Sequence, residues 1–145
     1  MKKIVITGGG GHMGTSLAEN LRALGKYEVV AGAHNPKPGK DEVQLDVTNF
    51  EQCVEVLKGA DTVVHLGFWM SPKGEFFRDK GVPTNIIGGY NLFEACRING
   101  VRRVIFGSSN HVFGFYPIDE HVDEYALYRP GSVYGYCKAC VELMG

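Results

Sequence analysis

The chain has 145 residues, 44% of them hydrophobic, enough for one domain with a core of its own. Fifteen basic residues against sixteen acidic ones, with no basic block, exclude an electrostatic surface for nucleic acid or membrane and point to a small-molecule ligand. The apolar run after Met1-Lys2-Lys3 is too short for a signal peptide or a membrane span, and Cys53, Cys96, Cys137 and Cys140 are scattered, so the expected setting is the cytoplasm, with reduced thiols.

Ile4-Val5-Ile6 predicts a first strand, which empties into Thr7-Gly8-Gly9-Gly10-Gly11-His12-Met13-Gly14 and then into a helical pattern. Three tasks fall to Gly8, Gly11 and Gly14: a tight turn out of the strand, bare backbone for a pyrophosphate, and close approach of the helix to the sheet. The helix that opens here directs unpaired N–H groups and its positive dipole end above the loop, which favours a phosphate. Met13, Leu17, Leu21 and Leu24 mark its expected sheet-facing side, and Gly25 its end.

Tyr27–Ala31 reads as a second strand, and the prolines and glycine of His34–Lys40 read as a surface loop. A third strand is expected over Glu42–Asp46, followed by a capping box, Thr48-x-x-Glu51, and a helix with Phe50, Cys53, Val54 and Leu57 on one face. Asp61–Leu66 reads as a buried parallel strand closed by Gly67, and Phe68–Gly81 as an irregular loop carrying Trp69, Met70, Phe76 and Phe77. A helix follows over Pro83–Asn99 with Ile86, Tyr90 and Phe93 facing inward, capped by Gly100. Arg103–Phe106 is the fifth strand, and a last helix runs from about Ser132. Strands alternating with helices imply a parallel sheet covered on both faces, and the glycine turn makes it a doubly wound sheet of Rossmann type, with expected order 3-2-1-4-5 and its ligand crevice at the carboxyl ends of the strands. The whole of 1–145 is read as a single dinucleotide-binding domain. Cys137-x-x-Cys140 lies in helical sequence without a second ligand pair and is read as helix residues, so no metal is expected.

Tyr134 and Lys138 stand four residues apart, on one face of a helix. A free tyrosine is a poor base at neutral pH, whereas an adjacent ammonium favours the phenolate and makes abstraction of an alcohol proton feasible. Ser108-Ser109 sits at the carboxyl end of the fifth strand, where such a pair would act.

These motifs resemble those of the extended short-chain dehydrogenase/reductases, the NAD-dependent epimerase/dehydratase family. The resemblance rests on Thr7-Gly8-x-x-Gly11-x-x-Gly14, Asp46, His65-Leu66-Gly67, Asn85-Ile86-Ile87-Gly88, Asn91-Leu92-Phe93-Glu94-Ala95, and Ser109 with Tyr134-x-x-x-Lys138. Phe106–Pro117 looks like the corresponding stretch of bacterial uronate dehydrogenases. The resemblance implies Tyr134 as general base, Lys138 as its activator and a nicotinamide-ribose ligand, and Ser109 on the reacting hydroxyl. Asn110, His111 and Ser71 would contact other substrate oxygens. Asp46 would bind the adenine amino group, and Gly8, Gly11, His12, Met13, Gly14, Val47, Leu66, Gly67, Asn85 and Ser108 complete the implied cofactor set. Read alone, the His12 and His65 side chains are structural.

The implied reaction is oxidation of a hexuronate to an aldarolactone by hydride transfer, or, within the same family, epimerisation or dehydration of a nucleotide sugar. Relative to the family pattern the sequence stops before a sixth strand, which by resemblance carries part of the nicotinamide pocket and an arginine for the carboxylate. A non-catalytic dinucleotide-binding fragment is therefore the other reading, and a homodimer or larger assembly covering the fifth strand's edge or the last helix is expected. The second strand ends Ala31-Gly32-Ala33-His34-Asn35 without an acid, with Lys37 and Lys40 beyond, which favours NADP over NAD.

Overall fold

The computed structural model describes residues 1–70 and 77–145. Five strands, β1 (Lys2–Thr7), β2 (Tyr27–Ala33), β3 (Val43–Gln44), β4 (Ala60–His65) and β5 (Arg103–Phe106), form one parallel sheet in the order β3-β2-β1-β4-β5. The helices are α1 (His12–Ala23), α2 (Phe50–Val56), α3 (Gly88–Ile98) and α4 (Val133–Glu142). Short π-helical segments cover Phe77–Gly81 and Pro83–Ile87, and a 3-10 turn covers Asn110–Phe113. No helix among the described residues is long and apolar enough to cross a membrane.

Strand alternation sends successive side chains of β1 to opposite faces. Val5 joins Val63, Leu45, Cys53, Leu57, Leu92, Ala95 and Cys96 on the side of α2 and α3, while Ile4 and Ile6 meet Ala18, Ala31 and Val64 under α1. Val5 and Ile6 have no exposed surface, each worth roughly 1.5–3 kcal/mol of burial. Order reverses at β1, with β2 on one side and β4 on the other, and sheets of this type bind ligands at the carboxyl end of such a switch point.

Several local expectations are corrected. On α1 the sheet-facing side is Leu17, Ala18 and Leu21, while Met13 (69%) and Leu24 (56%), just past the helix end, are exposed. The third strand keeps only two residues, because the Asp46 N–H is taken by Gln52 Oε1 (2.9 Å) and Asp46 Oδ1 accepts from the Thr48 N–H (2.9 Å), turning the chain out of the ladder. The Thr48 hydroxyl donates to Asp46 Oδ1 (2.7 Å), so α2 is capped by Asn49, whose Oδ1 accepts from Gln52 N–H (3.0 Å). The inward face expected on Ile86, Tyr90 and Phe93 is out of phase. The π turn over Pro83–Ile87 takes an extra residue per turn, and α3 then buries Asn91, Leu92, Ala95 and Cys96 and leaves Tyr90 59% exposed.

Candidate functional site

Gly8 leaves β1 at φ +69°, and a Cβ on it would lie 2.7 Å from Gly67 N at the end of β4, so the turn requires glycine twice over. A Cβ on Gly14 would run into the Gly8 carbonyl and lie 2.8 Å from Gly9 Cα; the residue lets α1 close on the loop itself, nearer than the expected contact with the sheet. Gly11, which precedes α1, would place a Cβ 3.2 Å from the Gly8 carbonyl with no other atom within 4 Å, so it faces open space. Bare backbone, the start of a helix and space above it fit the pyrophosphate of a dinucleotide. Beside this loop is a cleft of about 350 Å³ lined by Gly10, Gly11, His12, Thr15, Ser16, Glu19 and Lys37. Met13 projects to the surface.

At the end of β4, Thr7 Oγ1 accepts from Gly67 N–H (3.0 Å) and pairs with His65 Nδ1 (2.7 Å). His65 is fully buried, stacks on Phe106 at 5.4 Å, and its Nε2 has no hydrogen-bond partner among the described residues. Burial, and secondarily the Lys138 charge, hold its pKa at about 3, so it is neutral. Leu66 packs under α1, and Val47 is buried against Gly88 with its carbonyl taken by Asn91 Nδ2 (3.1 Å). Asp46 gives Oδ1 to Thr48 and faces His34 Nδ1 with Oδ2 (3.6 Å). Asn85 is fully buried and brackets Trp69, accepting its N–H at 2.7 Å and donating to its carbonyl at 2.9 Å; it anchors the loop after β4.

The second half of the site lies where β5 ends. Ser109 caps the 3-10 turn by accepting from His111 N–H (3.3 Å), and its own hydroxyl donates to Asn110 Oδ1 (3.4 Å). Gly135, in the first turn of α4, lies against the His111 carbonyl, so α4 and this turn pack as one unit. This sets the His111 and Tyr134 rings edge to face at 5.5 Å, with Phe68 on Tyr134 at 5.9 Å. One turn on, Lys138 is 3% exposed, donates to the Gly107 carbonyl, and stands 3.8 Å over Phe68, 4.6 Å over Phe106 and 5.7 Å from the Tyr134 ring centre. Burial lowers its pKa to about 8, opposed by the Glu142 carboxylate, so it remains a cation at neutral pH.

The structure thus gathers Tyr134, Lys138, His111 and Ser109 on one corner and the glycines on the other. Ser108 points elsewhere: its hydroxyl donates to Glu142 Oε1, whose other oxygen accepts from Tyr128 (2.7 Å), on the outer side of β5. Ser71 lies outside the described residues. Sequence reasoning missed the Phe68 and Phe106 rings around Lys138 and the Thr7 brace on His65. The strand-end positions of Thr7 and Phe106 were a usable signal. Phe68, in a loop, offered none.

Residues 4–145 match the NAD dependent epimerase/dehydratase family. The chain is 32% identical over 144 residues to the uronate dehydrogenase of Pseudomonas putida, covering 97% of this chain and 53% of that one. The crystal structure of uronate dehydrogenase from Agrobacterium tumefaciens superposes with a TM-score of 0.86 at 33% identity, over 99% of this chain and 54% of that chain. MoeE5 in complex with UDP-glucuronic acid and NAD gives 0.86 at 31% identity, over 98% and 48%. The chain spans about half the length of the relatives it matches. With the glycine loop, the sheet order and the Tyr134–Lys138 pair all in place, it belongs to the NAD-dependent epimerase/dehydratase family.

Proposed function

We propose that residues 1–145 act as one dinucleotide-binding domain of an NAD(P)-dependent sugar oxidoreductase that, like its uronate dehydrogenase relatives, oxidises a hexuronate such as galacturonate or glucuronate to an aldarolactone. The observation that carries this reading is the corner in which α4 and the Asn110–Phe113 turn hold Tyr134, His111 and Lys138 together, beyond the carboxyl end of the same parallel sheet whose β1 runs into the glycine loop. A bound nicotinamide would supply the hydride acceptor. Tyr134 would take the proton of the reacting hydroxyl, and Lys138 would keep a positive charge beside it. The Ser109 hydroxyl would orient the substrate oxygen, with Asn110 and His111, both exposed, reaching other sugar oxygens.

On the cofactor side, Gly8, Gly11 and Gly14 would seat the pyrophosphate and Asp46 Oδ2 would accept from the adenine amino group. β2 ends at Ala33 without an acid, which is the ground on which the sequence leans to NADP, and Lys37 lines the cleft beside the loop. The 2′-phosphate is the chemical difference to be tested. The sequence's second reading is dinucleotide binding without turnover.

The test is formation of reduced cofactor from galacturonate or glucuronate by wild type and Tyr134→Phe. A wild-type rate lost by at least ~100-fold in the variant, with cofactor affinity retained, is expected for loss of a general base. Equal rates would remove Tyr134 from the mechanism, and cofactor binding without turnover in the wild type would favour the second reading.

The proposed assembly is a homodimer or larger homo-oligomer, because Ile105 on the edge strand β5 and Tyr136 and Leu143 at α4 are 48%, 58% and 75% exposed. A clean monomer in sedimentation would count against it. The proposed setting is the cytoplasm; burial pushes the Cys53 and Cys96 thiols up to about 11 and 12, which suits unreactive reduced thiols, and cell fractionation would check it.

A further inference from the structure

Ala33 closes β2 with a methyl group, 4% exposed, where a dinucleotide-binding sheet ordinarily presents an acid to the ribose hydroxyls. A carboxylate reaches that place from further along the chain. Beyond β2, a turn closed by Lys40 N–H on the Lys37 carbonyl (3.1 Å), with Gly39 at φ +75°, reverses the loop and brings Glu42 back to the glycine loop. A Cβ built on Gly10 would lie 3.3 Å from Glu42 Oε2 and 3.3 Å from the Ala33 methyl. Carboxylate and strand end therefore flank the same glycine.

Glu42 is half-buried, and the Lys37 backbone N–H donates to Oε2 at 2.9 Å, fixing the carboxylate in place. An ionised carboxylate accepts several hydrogen bonds, so this one leaves capacity for a hydroxyl. The Lys37 ammonium turns the other way from its backbone N–H, its Nζ donating to the Gly10 carbonyl (3.1 Å), and it keeps its charge there. Glu19 and Lys37, of opposite charge, both line the cleft beside Gly10 and Gly11, so the Glu42 carboxylate next to Gly10 and Ala33 is what distinguishes the two cofactors. A hydroxyl can donate to that carboxylate, whereas a phosphate is repelled by it.

We infer that Glu42 is the specificity residue for the adenosine ribose, accepting a hydrogen bond from the 2′-hydroxyl of NAD and repelling the 2′-phosphate of NADP. It rests on the dinucleotide-binding reading above and reverses the preference for NADP drawn from the end of β2. The acid is displaced by about a turn's worth of loop, and the fold compensates by bending that loop back.

The test is calorimetric titration of the purified chain with NAD, NADP and 2′-deoxy-NAD. Wild type is expected to bind NAD about tenfold more tightly than either analogue, the usual size of a hydrogen bond to a charged group. Glu42→Gln should bring NAD and NADP to within about twofold of each other. An unchanged ratio in Glu42→Gln overturns the assignment and leaves dinucleotide binding intact. Should that variant fail to fold, the wild type decides alone: equal affinity for NAD and 2′-deoxy-NAD, or for NAD and NADP, overturns it. Binding of neither cofactor overturns both the dinucleotide reading and the role of Glu42.

Discussion

Around Gly8–Gly14 the site is shaped by side chains that are absent, whereas around Lys138 it is shaped by side chains that crowd in. In the loop, a Cβ on Gly8 or Gly14 would meet backbone within 3 Å, and one on Gly11 would stand in the space above the helix start. In the corner, an ammonium is buried among the Phe68, Phe106 and Tyr134 rings with the Gly107 carbonyl as its hydrogen-bond acceptor. A backbone-built site tolerates little change in fold but asks nothing of distant residues. The ring-built site depends on segments as far apart in sequence as Phe68 and Tyr134, and its charge is held at a measurable cost.

The sharpest way to test the first half is to separate two glycines. Val at Gly11 is expected to leave the fold intact, because the new Cβ meets a single carbonyl at 3.2 Å, and to abolish dinucleotide binding by filling the pyrophosphate's space. Val at Gly14 must displace backbone, and should lose ~3 kcal/mol or more of stability as well as binding. Thermal melts paired with cofactor titrations read both. Unaltered affinity in Gly11→Val would remove the loop from the cofactor site.

The second half can be probed through protons. Burial holds Lys138 at about 8 against an ordinary 10.5, so between these values the folded protein binds fewer protons than the unfolded chain. The Lys138 contribution therefore makes stability rise with pH from about 8 to 10.5, by roughly 3 kcal/mol; below 8 the cost of the buried charge is fully present. Cys53 and Cys96, with raised pKa values, act in the opposite sense above 9, so the informative quantity is the difference between wild type and Lys138→Met. Denaturant midpoints across this range should show the rise in wild type relative to the variant. Parallel curves would mean that Lys138 is better solvated than its ring contacts imply. At the acid end His65, held near 3 by burial, should cost stability as pH falls below 6.5.

The same contrast explains what could be read from the sequence. The strands, the glycine loop and the Tyr134–Lys138 face follow from local periodicity and spacing, and the strand order from the Rossmann type that the glycine loop marks. The phase of α3 did not, because a π turn at Pro83–Ile87 shifts every later residue and leaves no mark in an apolar pattern. Glu42 was passed over for a related reason. It belongs by sequence to the approach to β3, and only the reversal at Lys37–Lys40 carries it to Gly10. Ser108 was misplaced by one residue's alternation: neighbouring Ser109 faces the 3-10 turn, and Ser108 the Glu142 side of β5.

The smallest effect concerns α2, where sequence and structure name different caps. Thr48 and Asn49 both have the side chains that cap helices, and Thr48-x-x-Glu51 has the spacing of a capping box. The structure spends Thr48 on Asp46 Oδ1 and gives the N–H of Gln52 to Asn49. Asn49→Ala should therefore cost ~1 kcal/mol, the usual price of a lost N-cap. Thr48→Ala removes a hydrogen bond that is exposed and whose acceptor keeps the Thr48 backbone N–H, so its cost should stay near 0.5 kcal/mol. The two also differ in what they disturb. Asp46 sits between Thr48 and His34 and is the proposed acceptor for the adenine amino group, so Thr48→Ala, although milder for stability, is the change that should alter adenine-nucleotide affinity. Denaturant unfolding and a titration with AMP on both variants distinguish these. A larger stability loss for Thr48→Ala than for Asn49→Ala would restore the capping box.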